Sequence, residues 1–308
     1  MTIYLPIAEL PVAIFTILAM GLAVGFISGM FGVGGGFLMT PLLIFTGVPP
    51  AVAVASVSPY MAASSLSGAL SYWRKGLVDT TLAWVLLSGG LVGTVSGVLL
   101  FLWLRSIGQV DLAIRLSYML LLGAIGLLML VESVRAILRA RSGAPPSVRR
   151  PGTRPAFMRL PLKMRFRRSR IYISALPVIA IGYVIGLLGA VLGVGGGFIL
   201  VPALIYLLRV PTQTSVGTSL VLTLVTMAAA TVLHAVANGT VDAVLALVMM
   251  IGGTVGAQFG ARTGQTLKAE NLRLLLGLLV LSVALRVGAE LVTAPGDTFA
   301  VTMVETVR

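Results

Sequence analysis

The chain has 308 residues, of which 58% are hydrophobic and only 10% charged, whereas soluble domains carry about a quarter charged residues. It has no cysteine and one histidine, which excludes disulfides, thiolate nucleophiles and histidine-based metal clusters. The net charge of +13 points to nucleic acid only until it is located: 12 of the 22 Lys and Arg lie between Arg135 and Arg170, with no acid among them.

Eight apolar stretches follow one another, at 10–31, 52–72, 80–104, 112–131, 173–192, 215–237, 241–259 and 272–291. Each approaches the ~20 residues a helix needs to cross hydrocarbon. None alternates with period two, so they read as helices and not barrel strands. The expected fold is an all-α polytopic membrane protein. No positively charged segment precedes the first stretch, so it reads as a membrane element and not a secretory leader.

After the first stretch, Gly32-Val33-Gly34-Gly35-Gly36-Phe37 opens a short apolar run, 37–45, closed by Gly47 and Pro49-Pro50. After the fourth comes the basic segment 135–170. It also holds Pro145, Pro146, Pro151, Pro155 and Pro161, and it lacks an aromatic series for base stacking. It reads as a cytoplasmic loop obeying the positive-inside rule, with no nucleic-acid partner.

The order of elements then repeats. Gly193-Val194-Gly195-Gly196-Gly197-Phe198 stands 161 residues after its first copy and opens the run 198–208, closed by Val210-Pro211. Asp79 after Gly76 parallels Asp242 after Gly239, and Gly89-Gly90 with Gly93 parallels Gly252-Gly253 with Gly256. In this alignment Ser58 falls on Ser219. The expected organisation is a first transmembrane repeat over 1–134, the loop over 135–170 and a second repeat over 171–308.

About ten residues of helix reach only halfway through a ~30 Å hydrocarbon core. Each short run therefore reads as a half-helix that follows a glycine break and returns to the side it came from. If the basic loop is cytoplasmic, this hairpin also puts Arg74, Lys75, Arg209, Arg262, Lys268 and Arg273 inside. The repeats are then inverted relative to each other. Paired broken segments in two halves are the sequence pointer to a transporter's binding site.

The chemistry is sought at those breaks. Gly34, Gly35 and Gly36, with Gly195, Gly196 and Gly197, present backbone N–H groups unobstructed by side chains at a helix N-terminus, which attracts anions. Ser58, Thr218 and Ser219 are the expected neutral donors beside them, with Thr223, Thr226 and the other hydroxyls read as helix-stabilising. His234 and Gln258 are candidates for gating or a proton-linked step. Asp79 and Asp242 are read as helix caps. Gly25, Gly93, Gly97, Gly186, Gly256 and Gly260 are read as packing positions, with Gly93→Ala expected to be milder than Gly35→Leu or Gly196→Leu, which should abolish transport. No catalytic constellation, metal site or cofactor site is expected, so the chain reads as a non-enzyme.

The doubled Gly-x-Gly-Gly-Gly ending at Pro41 and Pro202, the stretch Val216-Gly217-Thr218-Ser219-Leu220, and His234 followed by Gly239-Thr240-Val241-Asp242 resemble the TauE/SafE sulfite exporter family, also called the toluenesulfonate uptake permeases. The resemblance spans nearly the whole chain apart from the basic loop and the last residues. First-half matches are looser: Ala55-Ser56-Val57-Ser58-Pro59 stands for the usual Gly-Thr-Ser, and Tyr72-Trp73 for a histidine. The family implies transport of small sulfur-containing anions such as sulfite and organosulfonates. The expected protein is then a multi-pass exporter of the cell (inner) membrane that works by alternating access around a midplane anion site, with a homo-oligomer as an open alternative. An anion channel of the same fold, or an intramembrane hydrolase using Asp79 and Asp242, is the competing expectation.

Overall fold

β-branched and aromatic residues open each repeat, and both openings form a β-hairpin. In the computed structural model, which describes residues 2–31, 35–141, 162–166, 168–169, 171–208, 210–264 and 269–292, strand β1 (Thr2–Leu5) pairs antiparallel with β2 (Leu10–Ala13). Strand β3 (Lys163–Phe166) pairs in the same way with β4 (Ile171–Ser174). The first apolar stretch is thus divided: residues 10–13 are strand, and helix starts only at Ile14. Strand β3 lies inside the segment 135–170. Four residues are too few to leave a period-two signal; only β-propensity could have shown these strands.

Ten helices follow among the described residues. In the first repeat they are α1 (Ile14–Phe31), α2 (Gly36–Phe45), α3 (Pro50–Arg74), α4 (Thr80–Ser106) and α5 (Val110–Arg141). In the second they are α6 (Ala175–Leu192), α7 (Gly197–Tyr206), α8 (Thr212–Leu233), α9 (Ala243–Gly264) and α10 (Ala269–Val292). Helix α8 continues into a π-helical turn, His234–Asn238. Six of these helices (α4, α5, α6, α8 with its π turn, α9 and α10) are long and apolar enough to cross a bilayer. Starts and stops follow local chemistry. Pro49 and Pro211 precede α3 and α8, and Ser174 Oγ accepts from the Leu176 amide at the start of α6. Gly76 and Gly239 take φ values of +67° and +60°, which turn the chain ahead of Asp79 and Asp242.

The two repeats are interleaved. Helix α1 packs along α9, α4 along α6, α5 along α10 and α3 along α8. The α1/α9 and α4/α6 seams are lined by glycine on both sides. A Cβ on Gly25 would collide with the Gly253 backbone, on Gly256 or Gly260 with the Leu22 or Phe26 carbonyl, and on Gly93 or Gly186 with the Tyr183 or Gly90 carbonyl. Partners on both helices advance together along each seam, so the paired helices run parallel. In lipid, where expelling water between helices gives little drive, such close backbone approach supplies the packing energy. Gly93 is thus a packing position at which even an alanine is costly to the fold, because the opposing atoms are backbone and cannot step aside.

Reciprocal hydrogen bonds tie the repeats together at the helix caps. The Asp79 amide donates to Thr218 Oγ1 at 3.2 Å, and the Asp242 amide donates to Ser56 Oγ at 2.9 Å. Asp79 caps α4 by accepting from Leu82 and also accepts from the Ser169 amide and hydroxyl in the second hairpin. Asp242 caps α9 by accepting from Val244 and Leu245 and also accepts from the Ile7 amide in the first hairpin. Each hairpin is thereby pinned to the cap of the other repeat. The pairing of Ser56 with Thr218, and the starts of α3 and α8, set the register of these helices at 162 residues. Ser58 therefore corresponds to Leu220, not Ser219, because the loop after α7 is one residue longer than the loop after α2.

Candidate functional site

The two glycine breaks meet. Gly35 and Gly196 are the N-cap residues of α2 and α7, and neither helix start has a side-chain cap. The Phe37 and Phe198 rings, two residues further on in each run, stack at 4.2 Å with planes 9° apart. A Cβ on Gly36 would lie 2.6 Å from the Gly193 carbonyl oxygen. Gly193 and Gly195 have φ of +66° and +69°, a conformation that side-chain-bearing residues rarely adopt. Gly34 lies outside the described residues.

The backbone donors at these starts follow from the helix geometry. In α7 the first internal bond joins the Leu200 amide to the Gly196 carbonyl at 2.8 Å, so the Gly197, Phe198 and Ile199 amides precede the helical ladder. In α2 the Leu38 and Met39 amides reach the Gly35 carbonyl, so those of Gly36 and Phe37 do. Such ends carry a partial positive charge and suit an anion without any Lys or Arg.

Equivalent positions surround the breaks, with different residues. Next to Gly35 stand Val24, Ser28 and the Tyr60 hydroxyl; next to Gly196 stand Ile185, Leu222 and the Thr223 hydroxyl. A Cβ on Gly196 would lie 3.1 Å from Thr223 Oγ1. Met61, the counterpart of Thr223 at the 162-residue register, packs against both Gly36 and Gly195. Thr223 is 2% exposed, and its Oγ1 has no hydrogen-bond partner. Buried hydroxyls are nearly always paired, so an orphan beside a bare helix start calls for a ligand or water.

The other hydroxyls proposed from the sequence are already bonded within the protein. Ser58 donates to the Val54 carbonyl at 3.2 Å and Ser219 to the Val216 carbonyl at 2.8 Å, while Thr218 serves the Asp79 amide. Thr223 carried no distinguishing motif. The clue to it was positional: one turn beyond Ser219, on the face that meets α7.

His234 is fully buried near the end of α8. Its Nε2 lies 2.9 Å from the Ala190 carbonyl, which can only accept, so Nε2 carries the proton. Nδ1 then accepts from the Asn238 side-chain amide at 2.8 Å, and the ring meets Phe101 edge-on. His234 thus ties the π turn to α6 just before the second break. Tyr118 adds a second tie there, donating to the Leu192 carbonyl at 2.5 Å. Gln258 is exposed on α9. Arg115 and Glu290 form an ion pair at 3.3 Å between α5 and α10, and the Arg286 guanidinium lies 4.4 Å over the Phe45 ring at the end of α2.

Comparison with known proteins agrees with this architecture. The sulfite exporter TauE/SafE family profile matches residues 17–287. A probable membrane transporter protein of Xylella fastidiosa is 30% identical over 270 residues, covering 86% of this chain and 90% of that protein. The probable membrane transporter protein YjnA of Bacillus subtilis is 28% identical over 86% of this chain and 96% of its own. A TauE/SafE family protein of Arabidopsis thaliana is 37% identical over 22% of this chain and 15% of its own length. No solved structure matches the chain significantly. With a family match over most of its length and apolar helices that can cross the bilayer, the chain belongs to the sulfite exporter TauE/SafE family of membrane transporters.

Proposed function

We propose that the protein exports small sulfur-containing anions, such as sulfite or organosulfonates, across the cell membrane by alternating access around the paired glycine breaks. The observation that carries this reading is the juxtaposition of two half-helix starts without side-chain caps, stacked through Phe37 and Phe198, with the unpartnered Thr223 hydroxyl beside one of them. The amides of Gly36 and Gly197 and their neighbours hold the anion, and the repeats rock around it.

Inverted repeats are supported by what each end of α4 and α9 touches. The start of α4 is bonded to the second hairpin through Ser169, and its end reaches the start of α9, where Arg105 donates to the Asn238 carbonyl at 2.7 Å. The start of α9 is in turn bonded to the first hairpin through Ile7. These contacts fit equivalent helices that run in opposite directions. With the basic loop in the cytoplasm, Asp79 and Arg168 lie on the inner side, and Asp242, Arg105 and Arg115 on the outer side. Reporter fusions check this: one inserted at Gly143 reads cytoplasmic and one after Arg308 reads extracytoplasmic, whereas two cytoplasmic readings would refute inversion.

The transport reading is tested with purified protein in liposomes and radiolabelled sulfite. A membrane potential adds about 2.3 kcal/mol per elementary charge per 100 mV, so it alone should drive a monoanion. Gly196→Ala places a methyl beside the α7 amides and is expected to cut flux at least tenfold while the protein remains folded. Wild-type flux in that variant would remove the glycine amides from the mechanism, and resolvable unitary currents would make the protein a channel.

A further inference from the structure

We infer that the anion site is one-sided: the second glycine run with Thr223 holds the charged head, and the first repeat supplies an apolar wall through Met61. The favoured substrate is then a monoanion whose oxyanion head joins a short apolar body, in preference to a compact dianion polar on every side. This rests on the anion-binding reading of the breaks and goes further by assigning unequal roles to the two halves.

The asymmetry lies in residues that the internal symmetry makes equivalent. At the 162-residue register set by α3 and α8, Thr223 corresponds to Met61; at the 161-residue register of the breaks, Gly189 corresponds to Ser28. The second repeat therefore has a hydroxyl where the first has a thioether, and a glycine where the first has a serine. Thr223 Oγ1 is buried and unpartnered next to Gly196, so it has a donor and lone pairs to offer a ligand. On the first side the Met61 thioether packs against Gly36 and its terminal methyl against Gly195, filling the space between the two breaks. A methionine adapts its shape to an apolar neighbour and gives an oxyanion almost no hydrogen bonding. The stacked Phe37 and Phe198 rings extend the apolar surface. The Tyr60 hydroxyl stands beside Gly35, and the same side chain also lies against Gly253 of α9. It therefore serves the packing of α3 on α9 and not the head position.

Calorimetric titration and thermal melting of the full chain in detergent test this with two probes, 1-propanesulfonate and sulfate. The wild type should bind 1-propanesulfonate at least tenfold more tightly than sulfate. Thr223→Val should lose at least tenfold in propanesulfonate affinity while the ligand-free protein melts at the same or a higher temperature, because an unpartnered buried hydroxyl has been removed. A threonine that served only the fold would instead lower the melt. Met61→Thr should bring the two affinities within threefold, and Tyr60→Phe should change neither. Equal affinities in the wild type, no loss in Thr223→Val, or a tenfold loss in Tyr60→Phe would each overturn one-sidedness and leave the anion site standing. Binding of neither probe to the wild type would overturn both readings.

Discussion

Glycines at the helix crossings and the N-cap glycines of the two breaks look alike in the sequence but face different things. At the crossings Gly25, Gly93, Gly186, Gly256 and Gly260 are opposed by backbone atoms of another helix. At the breaks Gly35 and Gly196 are opposed by the tips of side chains, namely Val24 and Tyr60 or Ile185 and Thr223. Backbone opposite a glycine leaves no room for adjustment and fixes the interleaving of the repeats. Side-chain tips can shift by a few tenths of an ångström, and they leave the helix-start amides reachable. The first set builds the scaffold; the second serves the ligand.

The largest effect should therefore come from the crossings. Gly93→Ala should cost on the order of 3 kcal/mol, since an added methyl in a close-packed seam forces the helices apart. The measurement is the thermal midpoint and monodispersity of the purified variant, and a wild-type melt would contradict the crossing geometry. The Asp79 cap comes next. Asp79→Asn would leave a side-chain donor facing the Ser169 amide or hydroxyl, at a cost of about 2 kcal/mol. Its transport per folded molecule should stay near wild type, and a specific transport defect would draw the cap into the site. The smallest effect should come from Ser58→Ala and Ser219→Ala, which remove bonds to carbonyls within their own helices. Each should change stability by less than about 1 kcal/mol and leave sulfite flux unchanged. A fivefold loss of flux in either would return these hydroxyls to the anion.

Much of the fold was legible because lipid imposes strict rules. Long apolar stretches marked the helices, and the duplicated Gly-Val-Gly-Gly-Gly marked both breaks and the short helices after them. The caps were legible as well, since Asp79 and Asp242 each follow a glycine turn. The hairpins were not, because four-residue strands leave almost no periodic trace. Nor was the partner of each helix: nothing in the order of elements shows that α1 packs along α9 rather than within its own repeat. At the site, the glycines could be found by repetition. Thr223 could not be found in this way, because repetition pairs it with Met61 and a missing hydrogen bond leaves no mark in the sequence.

The central claim, that the second break holds the anion's head, is tested most directly by locating a bound anion. The probe is 2-bromoethanesulfonate, bound to the full chain and placed by anomalous scattering from bromine together with density for the sulfonate. The sulfonate oxygens should lie within hydrogen-bond reach of the Gly197 and Phe198 amides and Thr223 Oγ1, with bromine toward Met61. A sulfonate seated instead beside Arg115 or Arg168, with the glycine breaks empty, would contradict the account.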